Sequence, residues 1–291
     1  MKGIIKYPGS KWSIARWIIN FFPGHHTYLE PFFGSGAVLF NKSRSNIETI
    51  NDLDGEVINL FEWIKKDPER LAREVYYTPY ARQVYQESFG RIQKNSLCKA
   101  VHFLIKLNMG RGFRTNGEKV GWKSDIQGRE KAYAAIDWTT LPDRIIEAAE
   151  RLRGVQIEQR PAIDVIARYN FPNVLIYADP PYMLETRHGK QYKEEMTDKD
   201  HEVLLTLLKL HKGPALISGY ESDLYNEMLK DWHKEETFCY SQVGSRKKEI
   251  LWMNFEPEQQ MSLFDEIDRY GDREGGMVKW MLEKQLKELR R

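Results

Sequence analysis

Short apolar runs bounded by turn residues recur along this chain, and between them hydrophobic positions return every three or four residues. The first pattern marks strands buried on both faces, the second amphipathic helices. On that basis the N-terminal part predicts a strand at 27–30, a turn at Gly34–Gly36 and a helix beginning near Ala37. A second strand at 48–51 ends in "NDLD" and is followed by a helix over 56–65. Residues 69–107 are helical by period, with Leu71, Val75, Val84, Phe89, Ile92, Val101, Leu104 and Ile105 as core positions. A helix at 143–153 leads to strands at 155–158 and 174–178. A helix at 198–211 precedes the strand "PALISGY", and short strands near 237–241 and 250–254 complete the series.

Strands alternating with helices at both ends predict an α/β fold with a mostly parallel sheet, interrupted by a mainly helical insert. The organisation expected is a core of 1–65 and 151–255, an insert of 66–150, and a tail of 256–291. In open sheets of this kind ligands lie beyond the carboxyl ends of the strands. That rule brings "EPFFGSG", "NDLD" and "DPPY" into one crevice.

Composition narrows the picture only a little. With 291 residues, 41% hydrophobic and 30% charged, the chain is an ordinary ordered protein. No run approaches the roughly 20 apolar residues that cross a bilayer. "MKGIIKYPGSKW" turns to Pro, Gly and Lys too soon for a signal peptide. Cys98 and Cys239 form no disulfide framework, so a cytoplasmic location is expected. His25 and His26 have no partner at ligand spacing, and no metal is expected. Charge is uneven: residues 256–274 carry seven acids and two arginines, so a chain of net +2 holds about +7 outside that stretch. Residues 104–131 hold seven Lys or Arg against three acids, an excess that suits a polyanion but also a plain solvated face.

The candidate chemistry gathers at the strand ends. Gly34 and Gly36 let the backbone turn sharply and approach a ligand. The third glycine of the dinucleotide fingerprint is missing, which disfavours nicotinamide. Asp52 lies sixteen residues past Gly36, where a carboxylate binds ribose hydroxyls; it could equally cap the next helix, although Asp54 is the better placed cap. Asp179-Pro180-Pro181-Tyr182 ends the run "VLIYA". An acceptor-only carboxylate beside proline-fixed carbonyls and a ring suits a planar group carrying an amino donor.

"KYPGSKW", "YLEPFFGSGAVLF", "NDLDGEVINLF" and "IYADPPY", in this order, resemble the Dam-type (D12 class) N6-adenine DNA methyltransferases. The resemblance implies a Rossmann-like S-adenosylmethionine-dependent sheet with a target-recognition insert where 66–150 lies. It implies methyl transfer to N6 of an adenine flipped from duplex DNA. It assigns Tyr7, Lys11, Phe32, Gly34, Gly36, Asp52, Asp164 and Asp179 to the cofactor. Asp179, Pro180, Pro181 and Tyr182 fall to the reacting base. "LNMGRGFRTNGE" is similar to the family's recognition hairpin, which makes Asn108, Arg111, Arg114 and Asn116 the DNA contacts, although it departs from the usual "NGLYR" form. Gln260, Leu263 and Phe264 in "QMSLF" resemble a bacterial sliding-clamp motif, and 277–289 reads as an amphipathic helix. Two rivals stand beside this reading: an RNA adenine methyltransferase, and a catalytically silent DNA-binding regulator on the same fold.

Overall fold

A computed structural model describes residues 1–90, 95–112, 114–124, 134–187, 189–240 and 246–257. The chain divides into two compact units, Met1–Glu256 and Pro257–Arg291. The clamp-like residues Gln260, Leu263 and Phe264 and the helix expected at 277–289 lie outside the described residues.

The elements run α1 (Ala15–Ile19), β1 (Thr27–Glu30), β2 (Ile47–Asn51), α2 (Gly55–Lys66), α3 (Pro68–Tyr76), α4 (Arg82–Glu87) and α5 (Ser96–Met109). They continue as α6 (Ala134–Thr139), α7 (Leu141–Leu152), β3 (Gln156–Glu158), α8 (Ala162–Arg168), β4 (Val174–Ala178), and a 3-10 turn at Leu184–Thr186. The series closes with α9 (Asp198–Lys209), β5 (Ala215–Gly219), α10 (Asp223–Met228), β6 (His233–Tyr240) and β7 (Arg246–Met253). Among the described residues seven strands form one sheet in the order β3-β2-β1-β4-β5-β7-β6. The first five run parallel, and β7 lies antiparallel between β5 and β6. The mostly parallel α/β sheet is the one expected from the alternation of strands and helices, and its form agrees with the Rossmann-like fold that the resemblance implies.

β4 explains why its sequence is apolar without a break. All five residues are buried because helices cover both faces of the sheet. Leu175 and Tyr177 point into the larger core, with residues of α2, α3, α5 and α7. Val174, Ile176 and Ala178 point into the other, under α8, α9 and α10. The helices of 66–150 thus share the larger core with the sheet.

Two expectations differ from the fold. The segment after Gly36 makes successive turns instead of an α-helix, closed by Phe40 N–H to Gly36 O and Lys42 N–H to Val38 O. Val38, Leu39 and Phe40 are all buried. Three consecutive buried side chains need packing on every side, which a one-faced surface helix does not offer. Among the described residues the 69–107 stretch breaks into three helices, and the expected core position Ile92 lies outside the described residues. Thr78 precedes Pro79, a position that disfavours helical backbone, and Asn95 caps α5 by accepting from Cys98 N–H at 2.9 Å. α1 was not foreseen.

Candidate active site

A cavity of about 240 Å³ opens at the carboxyl ends of β1, β2 and β4. Of the residues singled out from sequence, Tyr7, Lys11, Phe32, Gly34, Asp52, Asp179 and Pro181 line it.

At the β1–β2 end the main chain builds the wall. Gly34 takes φ +49°, and a Cβ there would lie 3.0 Å from the Tyr7 ring. Its N–H donates to Asp52 Oδ2 at 2.8 Å, while Asp54 N–H donates to Oδ1 at 2.9 Å. Burial pushes Asp52 up to about 6, against the pull of these N–H donors. Asp54, not Asp52, caps α2, accepting from Glu56 N–H at 2.9 Å. Gly36 stands outside the cavity. Its φ of +67° serves packing, since a Cβ would strike Phe33 and Phe40. Asn51 accepts from Arg160 N–H and donates to Pro31 O, each at 2.9 Å. It thereby clips the cavity wall at Pro161–Ile163 to the loop after β1. Asp164 is exposed in the first turn of α8, one residue past the lining Ile163.

At the other end, ionised side chains from distant segments converge. Lys11 Nζ lies 2.9 Å from Asp179 Oδ1 and 3.6 Å from Glu249 Oε1, and donates to Gly9 O at 2.7 Å. Burial alone would lower the Lys11 pKa; the facing Asp179 and Glu249 carboxylates outweigh it and raise it. Burial raises Asp179 and Glu249 in turn, with Lys11 opposing in both. Glu30 accepts from the Tyr28 hydroxyl at 2.9 Å, and burial lifts it to about 8. Asp179 keeps 18% of its side chain exposed.

Pro180 and Tyr182 are buried behind the lining. The Tyr182 hydroxyl donates to Glu249, Lys11 Nζ sits 4.7 Å from its ring centre, and Tyr220 meets it edge-on at 4.6 Å.

A cap over the cavity comes from the loop after the 3-10 turn. Tyr192 lines the cavity with its ring 6.0 Å from that of Tyr7. Glu195 holds this loop, pairing with Arg187 and accepting from Gln191 and Tyr192 N–H at 2.8 and 3.1 Å. Lys193 Nζ reaches Asp54 Oδ1 at 3.3 Å. The cap is tied to the 110–122 hairpin, which the Gly110–Trp122 bridge closes. Thr115 N–H donates to Gln191 O at 3.0 Å, Thr115 Oγ1 accepts from Lys193 N–H at 3.2 Å, and Asn116 Nδ2 donates to Lys190 O at 3.1 Å.

Two of the expected DNA contacts, Arg111 and Arg114, are exposed on this hairpin, bonded to Ser124 O and paired with Glu118 respectively. Asn116 is half-buried against the cap. Asn108 is a correction. It is 4% exposed, and its amide donates to Ile4 O at 3.2 Å and Leu104 O at 3.0 Å, so it binds α5 to the N-terminal segment. Sequence reasoning missed Glu30, Asn51, Tyr192 and Glu249. A buried-strand position holding an acid, as in "KKEILWM", was the available signal for Glu249.

Among the described residues no cluster of three His, Cys, Asp or Glu is arranged to hold a metal ion. No described helix is long and apolar enough to cross a membrane. Comparison with known proteins turns this geometry into a family assignment. Two DNA adenine methylases of Vibrio cholerae serotype O1, from Classical Ogawa and El Tor Inaba strains, are each 23% identical over 189 residues, 62% of this chain. The match spans 65% of each relative, slightly under two thirds of its length. Residues 7–241 match the family model for the D12 class N6 adenine-specific DNA methyltransferases, and the chain belongs to that family.

Proposed function

We propose that this protein transfers the methyl group of S-adenosylmethionine to N6 of an adenine flipped out of duplex DNA, acting in the cytoplasm. The observation that carries the reading is Asp179, held by Lys11 at the closed end of a carboxylate-lined cavity, at the strand ends where such ligands lie. The cavity also fits the cofactor by charge. Asp179 lines it, Lys11 is shared between Asp179 and the buried Glu249, and burial leaves both of these carboxyls short of solvation. A cationic ligand relieves that deficit.

When bound, the cofactor supplies a methyl group already activated on a positively charged sulfur. Asp52 accepts its ribose hydroxyls, Tyr7, Phe32 and Gly34 enclose it, Gly36 shapes the turn, and Asp164 stands at the edge for its base. Asp179 and the Pro180 carbonyl accept the two N6 hydrogens of the target adenine and turn the nitrogen lone pair toward the methyl group. This is positioning with electrostatic stabilisation of the charge that develops on nitrogen. Asp179 is the nearest base for the proton that N6 then releases, and burial raises its proton affinity. Pro181 stiffens the turn and Tyr182 backs the base. Flipping costs roughly a few kcal/mol. Arg111, Arg114 and Asn116, on the 66–150 insert, contact the duplex. The sliding-clamp role of Gln260, Leu263 and Phe264 rests on sequence alone.

The test is incubation of wild type and Asp179→Ala with S-adenosylmethionine and unmethylated DNA, followed by nucleoside mass spectrometry. The proposal expects N6-methyladenine from wild type and at least a hundredfold less from the variant, the scale of losing one preorganised group. Methylation of matched RNA but not DNA, or no product with either, overturns it.

A further inference from the structure

We propose that Glu249, reaching in from β7, is a positioning residue. It holds Lys11 and Tyr182 beside Asp179 and leaves this end of the cavity with one negative charge in excess, which tilts binding toward a sulfonium over the neutral thioether formed by transfer. This rests on the cofactor reading above and goes beyond it.

Glu249 is 2% exposed, on a strand whose next four residues are all buried. A carboxylate at that depth is costly unless it is paired and hydrogen-bonded. It meets the Lys11 ammonium at 3.6 Å, accepts from the Tyr182 hydroxyl, and faces the Cys239 thiol at 3.8 Å. The same ammonium lies 2.9 Å from Asp179, so one positive charge is shared between two carboxylates. Lys11, whose pKa is raised, keeps its proton throughout the working range. Burial raises both carboxylates because the single ammonium does not satisfy the pair. A second cation in the cavity completes the balance. Methyl transfer removes that cation, since sulfonium becomes thioether, and once the N6 proton taken by Asp179 has passed to solvent the excess negative charge is left facing a neutral ligand. The group that anchors Tyr182 is therefore also the group that senses whether the methyl donor has reacted.

The experiment is calorimetric titration of wild type, Glu249→Gln and Tyr182→Phe with S-adenosylmethionine and with S-adenosylhomocysteine. Gln keeps the size of Glu and an acceptor for Tyr182 but removes the charge. Glu249→Gln is expected to weaken the sulfonium ligand roughly tenfold more than the thioether, the scale of one charge felt through protein. Tyr182→Phe, which removes a hydroxyl and no charge, shifts both ligands together. Lys11→Met removes the opposing charge and moves the ratio the other way, so a Glu249→Gln chain that failed to fold would not end the test. An unchanged ratio in Glu249→Gln overturns the role of Glu249 while leaving the cofactor reading intact. A wild type that binds neither ligand overturns the cofactor reading itself.

Discussion

At the β1–β2 end of the cavity the main chain does the holding: Gly34 and Asp54 N–H groups fix Asp52, and a left-handed glycine lets Tyr7 close over the turn. At the β4–β7 end the hold is ionic. Lys11, Asp179, Glu249 and Tyr182 come from three segments and meet in a buried cluster. The first wall should therefore fail sterically or by loss of one acceptor, and the second by loss of charge. A wall of backbone donors also needs no counterion, whereas a wall of desolvated carboxylates would be completed by the cationic ligand proposed for it.

Removing Asp52 should have the largest effect on the backbone-built wall. Asp52→Ala leaves the Gly34 and Asp54 N–H groups without their acceptor and takes away the proposed partner of the ribose. Hydrogen bonds to a charged group contribute about 1.5–3 kcal/mol each. Cofactor affinity is therefore expected to fall roughly a hundredfold in a binding titration, with Asp54 still capping α2 and the helix content unchanged by circular dichroism. An effect under about threefold would mean that Asp52 serves the turn alone.

The difference between the walls also decides what sequence could reveal. Gly34, Asp52 and Asp179 were legible because each lies within a few residues of the strand that positions it, and local pattern marks strand ends. Glu249 is separated by 67 residues from the Tyr182 hydroxyl it accepts. Asn108 binds a carbonyl 104 residues away. Nothing within reach of a periodicity window announces such pairings. Asn108 looked like a loop donor because it stands before "MGRG", yet α5 carries it inward to Met109. Tyr192 was invisible for a related reason: its role depends on a loop with no period, folded back by Glu195.

Titration sharpens the comparison next. Asp52, lifted to about 6, loses its charge as pH falls through that value. Cofactor affinity should decline by several-fold between pH 7.5 and 5.5 in wild type. Glu30 acts on stability instead. Its pKa rises from 4.5 in the ordinary state to about 8 in the fold. Between those values the folded state binds a proton that the unfolded chain releases. The contribution is thus complete below about 4.5 and is lost as pH rises through about 8. Tm should fall from pH 6 to 8.5 in wild type and fall less in Glu30→Gln. Equal slopes for the two proteins would remove Glu30 from the account.

A smaller steric effect is expected from Gly34→Ala. Left-handed backbone costs a non-glycine residue about 1–2 kcal/mol, and the new Cβ would sit 3.0 Å from the Tyr7 ring. Tm should drop by a few degrees and cofactor affinity by about tenfold, without any change in the pH profile. A shifted profile would show that the two walls are not independent.

Thr115→Val is the smallest change and asks whether a third wall, the cap, is energetically coupled to the 110–122 hairpin it is bonded to. The substitution keeps shape and removes a hydroxyl that accepts from Lys193 N–H at 3.2 Å and donates to Gln191 O at 3.5 Å. One neutral hydrogen bond contributes about 0.5–1.5 kcal/mol, so cofactor affinity without DNA should change only two- to fivefold. The informative quantity is the coupling. If duplex DNA docks on Arg111 and Arg114 as proposed, it stiffens the hairpin, which reaches the cap through Thr115 and Asn116. DNA should then tighten cofactor binding in wild type, and by reciprocity the cofactor should tighten DNA binding by the same factor. Titrating the cofactor with and without a short duplex measures that factor. Thr115→Val should bring it closer to one than the change in cofactor affinity alone accounts for. If the factor stays at its wild-type value, the hairpin and the cap are neighbours without being coupled, and the cavity closes on its cofactor in the same way whether or not DNA is present.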